Sequence, residues 1–249
     1  MDRAAKLVRT GDKIVSWIGI LFILLLFSYG GYSLYDNWLI NQGGSSSELM
    51  KFKPGTESSY SLAELMYLNS DVIAWITIDN TNIDQPVTQG KDDLEYINKD
   101  ALKNFSLSGA IFLSCLNNRD FSDHYVLTYG HHMENGGMYG DVTEFLDEGY
   151  FNSHTSGKLT GASYEWDIEL FSVLKTNGSD SMVYNPEQYF EAGTPSLQNY
   201  LKENAMHQRE IGLVPDDQII ALSTCYDTET NGRVILFGRL NNKREVTNS

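Results

Sequence analysis

Apolar residues fall into short runs separated by polar turns, and the one long exception comes first. Ile14 to Tyr35 holds 22 residues without a charge. As a helix it would measure about 33 Å, enough to cross a bilayer core. Asn41 to Tyr60 is rich in Gly, Ser and polar residues and reads as a linker, with a short helix around Glu48 to Phe52. Ser61 and Glu64 then form a capping box ahead of LAELMYLN. Asp71–Asp79 and Asn82–Thr88 read as strands joined by a turn at Asn80 and Thr81, and Lys91–Lys99 as a helical turn. Gly109–Ser114 and Tyr125–Tyr129 are further strands, followed by the Gly-rich GHHMENGGMYGD and a short helix over Val142–Asp147. Lys158–Lys175 alternates with the period of one or two strands. Thr194 as N-cap and Pro195 at the first position open a helix through about Met206, with Leu197, Tyr200 and Leu201 as its buried stripe. Ile219–Cys225 and Arg233–Leu240 close the series as two strands about a polar turn. Many strands, few short helices and no βαβ alternation predict a mainly β fold, a closed or nearly closed barrel.

Charge orients the first segment. Arg3, Lys6, Arg9 and Lys13 precede the apolar run, and no basic cluster follows it before Lys51. The positive-inside rule places the N-terminus in the cytoplasm and the remainder outside, with the lipid bilayer as partner of the helix. The run is longer than a signal-peptide core and lacks an A-x-A-like cleavage site, so it reads as an uncleaved anchor. The expected organisation is 1–13 cytoplasmic, 14–38 membrane span, 39–60 stalk, 61–243 extracellular domain and 244–249 tail. The formal net charge of −15 over 249 residues argues against nucleic acid as a partner. Two cysteines, Cys115 and Cys225, exclude a disulfide framework and a Cys-based zinc site.

If the last two strands are neighbours, Cys225 and Arg233 sit at one end of them across a gap. A thiolate is the nucleophilic form of Cys, and a nearby fixed cation favours it and can hold an oxyanion. A proton carrier is still needed. His131 and His132 end a strand and enter a Gly-rich loop, where functional groups concentrate. Adjacent residues of an extended segment face opposite ways, so the pair cannot readily chelate one metal. His124 and His132 share parity but lie about 26 Å apart along a straight strand. No metal site is expected, and one histidine of the pair would complete a Cys, His and Arg set; periodicity does not choose which.

With these residues in view, the chain resembles the class B sortases over most of Ser61–Leu240. The resemblance is carried by DVIAWITIDNTNIDQPVTQGKDDLEYIN, by GAIFLSCLNNRDFSDHYVLTYGHHM with GGMYGDVTEF, and by ALSTCYDTETNGRVILFGRL. It implies a sortase-type barrel of about eight strands with short peripheral helices behind an N-terminal membrane helix. It implies Cys225 as nucleophile, His131 as acid and base, and Arg233 as the residue that steadies substrate and oxyanion. Ser223, Thr224 and Tyr226 would bind substrate, and no cofactor or metal is implied. The implied partners are secreted proteins bearing a C-terminal sorting signal, NPxTN-like or a related Pro-x-Thr-Gly pentapeptide, and a peptidoglycan-precursor amine. The class B insert, here about Thr176 to Pro215, would set a helix over the groove. Ala221 stands where the family often has Thr, residue 132 is more often Asn, and Asp227 occupies a position often acidic. Cys115, in a strand, is expected as a buried small residue.

Two other readings compete. In papain-like wall hydrolases the Cys precedes the His, and in L,D-transpeptidases it sits in an SHGC-like context, whereas here His131 precedes an LSTC element. A membrane-tethered binding module with a structural Cys225 would need no proton carrier at all.

Overall fold

A computed structural model describes residues 2–44, 47–56, 60–225 and 231–246. Its first unit is one helix, Asp2–Gly44 (α1), in which Val8–Tyr35 is long and apolar enough to cross a membrane. The second unit opens with Ser47–Met50 (α2) and Leu62–Leu68 (α3). The capping box of α3 is formed: Ser61 N–H donates to Glu64 Oε2 at 2.7 Å, and Glu64 N–H donates to Ser61 Oγ at 3.3 Å. Leu49 and Phe52, within the expected stalk, are buried with Leu62, Leu65 and Trp75. Their apolar side chains, in an otherwise polar stretch, tie it to the second unit.

The strands follow: Val72–Ile78 (β1), Asp84–Thr88 (β2), Ile111–Leu113 (β3) and Tyr125–Tyr129 (β4). After the helix Glu148–Ser153 (α4) come Ser156–Gly161 (β5) and Tyr164–Asn177 (β6). The insert carries Ser181–Tyr184 (α5) and Pro195–Asn204 (α6), and then His207–Gln208 (β7), Gln218–Cys225 (β8) and Gly232–Glu245 (β9) complete the chain. Hydrogen bonding runs in the order β5-β1-β2-β3-β4-β8-β9-β6, and β6 pairs back with β5. This closes a barrel of eight strands, as the resemblance implies; β7 adds two residues beside β6. β2–β3 and β4–β8 are parallel and the other pairs antiparallel.

β8 reads QIIALSTC, and its residues 219–224 are all buried because both faces are covered. One covering layer is the insert: Val183, Tyr189, Leu197 and Leu201 pack on Tyr125, Leu127, Ile219, Ala221, Ile235 and Phe237. Asn80 adopts φ 61° in the β1–β2 turn, a conformation Asn tolerates.

Several expectations need correction. Val142–Asp147 is a 3-10 stretch, Gly140–Leu146, rather than an α-helix. Gly109–Ser114 pairs only over Ile111–Leu113. The Thr194 side chain does not cap α6; its hydroxyl donates to Asp217 O at 3.1 Å instead. β9 continues past the last apolar residue, Leu240, because Arg244 joins Glu165 and Asp167 on β6, the latter at 2.8 Å. Cys115 is exposed, in a turn after β3 and not within a strand. Its N–H donates to Asp93 Oδ1 at 2.6 Å, which fixes the backbone there instead of extending the ladder.

Candidate active site

The parallel pair β4–β8 carries two chain segments to the same end of the barrel. Tyr129 is the register partner of Ser223, and Gly130 N–H extends the pairing by donating to Ser223 O at 3.1 Å. The next residue, His131, therefore emerges beside the end of β8. Gly130 is required there, since a Cβ would lie 2.8 Å from the Tyr139 ring. That ring is anchored from below: Thr128 Oγ1 donates to Ala221 O at 2.8 Å, so Tyr139 donates its hydroxyl proton to Thr128 at 2.8 Å. Tyr139 N–H also donates to His131 O at 3.0 Å, and Asp141 clamps the same loop to the β1–β2 turn through Asn82 N–H at 2.7 Å.

On the other side, β8 and β9 are antiparallel, and Cys225 is the direct register partner of Arg233. Arg233 is half-buried and donates from Nη1 to Gly232 O at 3.0 Å. Among the described residues no carboxylate pairs with it. Gly178 gives it room; a Cβ there would reach 3.5 Å from Nη2 and 2.6 Å from Asn231 Oδ1.

Between these walls lies a groove of about 440 Å³, lined by His131, Ser223, Thr224 and Arg233 together with Asp93, Ile97, Phe112, Tyr129, Gly130, Gly178 and Tyr184. Thus four of the six expected site residues border one cavity, and the register sets a fifth, Cys225, opposite one of them, Arg233. Tyr226, like Asp227, lies outside the described residues. Ser223 Oγ is hydrogen-bonded to the Tyr184 hydroxyl at 2.8 Å. Thr224 Oγ1 is buried and has no hydrogen-bond partner among the described residues. His132 faces elsewhere, bridging to Met138 with its Nδ1 buried.

Burial lowers the His131 pKa below the ordinary histidine value, because a desolvated imidazolium is disfavoured. In the unfolded chain the ring takes its proton near pH 6.5, so below that pH the unfolded state binds more protons and stability falls. The stability tied to the neutral ring is present above about pH 6.5 and lost as pH drops through the lower folded value. His131→Gln is therefore expected to show a shallower fall in Tm than the parent between about pH 6.5 and 5. Parallel Tm curves for the two proteins would contradict it.

The sortase B of Listeria monocytogenes is 30% identical to this chain over 185 residues, which is 72% of this chain and 73% of the relative. The chain belongs to the sortase B family. A class B sortase of Streptococcus pyogenes involved in pilus biogenesis superposes with a TM-score of 0.67 at 36% identity, covering 72% of this chain and 97% of its own. Clostridium perfringens sortase B superposes at 0.65 with 30% identity, covering 73% and 100%. No family model matches the chain.

As a sortase the chain is an enzyme, and its groove has walls that sequence reasoning missed. Gly178 and Tyr184 form the insert wall, and α6 buries Leu197 and Leu201 in the core with Tyr200 packed beside them, as its apolar stripe predicts. Tyr184 sits on a four-residue helix whose only local signal is Asp180, which caps it by accepting Met182 N–H at 3.0 Å. Asp93, Ile97 and Phe112 form the opposite wall.

Proposed function

We propose that this sortase is a membrane-anchored cysteine transpeptidase. It cuts a C-terminal sorting signal, NPxTN-like or a related Pro-x-Thr-Gly pentapeptide, after Thr and joins the protein to a peptidoglycan-precursor amine. The observation that carries the reading is the groove itself, where His131, Ser223 and Arg233 meet at the strand end that Cys225 occupies. The neutral His131 ring takes the thiol proton, and the Cys225 thiolate attacks the Thr carbonyl carbon. Arg233 steadies the oxyanion of the tetrahedral intermediate. Collapse breaks the C–N bond, His131 gives its proton to the leaving amine, and a thioacyl enzyme remains. The entering amine adds to the thioester carbonyl and yields a proton to His131, whose neutral state burial favours; the thiolate then leaves and the new amide is complete.

In this reading residues 14–38 anchor the enzyme with the N-terminus inside, as the four leading basic residues favour, and residues 61–243 act at the outer face. Its protein substrates are secreted chains bearing the signal. The relative involved in pilus biogenesis adds pilus subunits to the candidates.

Full-length chain in detergent micelles, mixed with a panel of sorting-signal peptides, tests the reading. Intact mass spectrometry should show Cys225 carrying the peptide fragment up to Thr, and a soluble stem-peptide amine should discharge it. A panel that leaves the thiol unmodified ends the reading.

A further inference from the structure

The groove floor crosses four neighbouring strands, from Phe112 on β3 through Tyr129 and Ser223 to Arg233 on β9. Neighbouring strands lie about 4.8 Å apart, so the floor is about 14 Å across. Arg233 makes one end cationic. The other end is closed by half-buried Asp93, from the connection between β2 and β3. Asp93 Oδ1 accepts the Cys115 N–H at 2.6 Å and Oδ2 accepts Ser114 Oγ at 3.3 Å. The Cys115 thiol also bonds to this carboxylate, and since a carboxylate offers about four acceptor positions, capacity remains.

Its charge is also unmatched. Among the described residues no Lys, Arg or His forms an ion pair with Asp93, and Lys99 of the same connection is held by Glu95 at 2.8 Å. The carboxylate is felt at the floor: the Tyr129 phenol is pushed above its ordinary range by burial first and by the negative charge of Asp93 second. A half-buried anion with spare acceptors, in a groove that takes an extended peptide, favours a cationic partner.

We propose that Asp93 forms a cation subsite at the β3 end of the groove, taking an ammonium or guanidinium group of the bound substrate. The inference rests on the peptide-transfer reading above. Two sources carry such a group: a Lys or Arg at the variable position of the pentapeptide, or a side-chain ammonium on the entering amine.

The test uses full-length Cys225→Ala chain in micelles and reads binding, by fluorescence anisotropy, of pentapeptides with Lys or Gln at the variable position. A second arm compares lysine amide with norleucine amide as competitors. The cationic member of one pair should bind about tenfold tighter, and Asp93→Asn should collapse that ratio towards one. Asn still offers an acceptor to the Cys115 N–H, so the wall keeps its shape. Asp93→Lys should turn the preference towards a Glu-bearing peptide. The arm in which the ratio appears identifies the source. Ratios near one in both arms, or a ratio that survives Asp93→Asn, would overturn the subsite. A parent enzyme that shows the preference yet releases no product would remove the transfer reading and leave the subsite standing.

Discussion

Cys225→Ala and His131→Ala are each expected to lower sorting-signal cleavage by about 10⁴-fold or more, and the double variant to be no slower than the worse single. Residues that act as one unit lose their effect together, because neither has a function once the other is gone. The structure supplies the reason: His131 emerges at the end of β4, Cys225 ends β8, and those strands are hydrogen-bonded in parallel through Tyr129 and Ser223. Single-turnover cleavage by the full chain, with peptide binding measured alongside, separates chemistry from affinity. A His131→Ala enzyme within tenfold of the parent would remove the imidazole from the reaction and reopen the binding-module alternative.

Phe237→Ala is expected to cost about 3–5 kcal/mol of stability. Phe237 is fully buried, its ring 6.4 Å from that of Phe171, among residues that come from both the barrel and the insert. Truncation leaves a cavity in the core that the insert and the barrel share, and the barrel side cannot collapse without disturbing the pairing of β9 with β6 and β8. For about 200 residues, 1 kcal/mol shifts Tm by about 2–4 °C, so a fall of about 6–20 °C is expected. A calorimetric loss below about 1 kcal/mol would show that the insert contributes little to holding the barrel together.

The parts of this architecture that were legible beforehand are those where burial is one-sided or total over a long run. The apolar content of VLTY, IIALSTC and VILFGRL, with the polar turn between the last two, predicted β4, β8 and β9, and their pairing brought Cys225 opposite Arg233. What escaped was decided by single polar contacts. The choice between His131 and His132 depends on Gly130 passing under the Tyr139 ring, a contact with no periodicity to reveal it. The extension of β9 depends on Arg244 meeting Asp167 across strands 77 residues apart in sequence. Asp93 lies on a long irregular connection and Tyr184 on a helix of four residues, neither of which carries a period, and only the closed barrel shows that both border the groove.

Closure has a further consequence for the peptide transfer proposed above. β6 pairs with β9 on one side and with β5 and β7 on the other, so the sheet returns on itself and offers little unpaired backbone. Among the described strands an extended peptide finds scarcely any open ladder to join, so strand addition has little to pair with. Recognition of such a peptide is left to side chains in the groove, and a closed sheet is a poor template for aggregation.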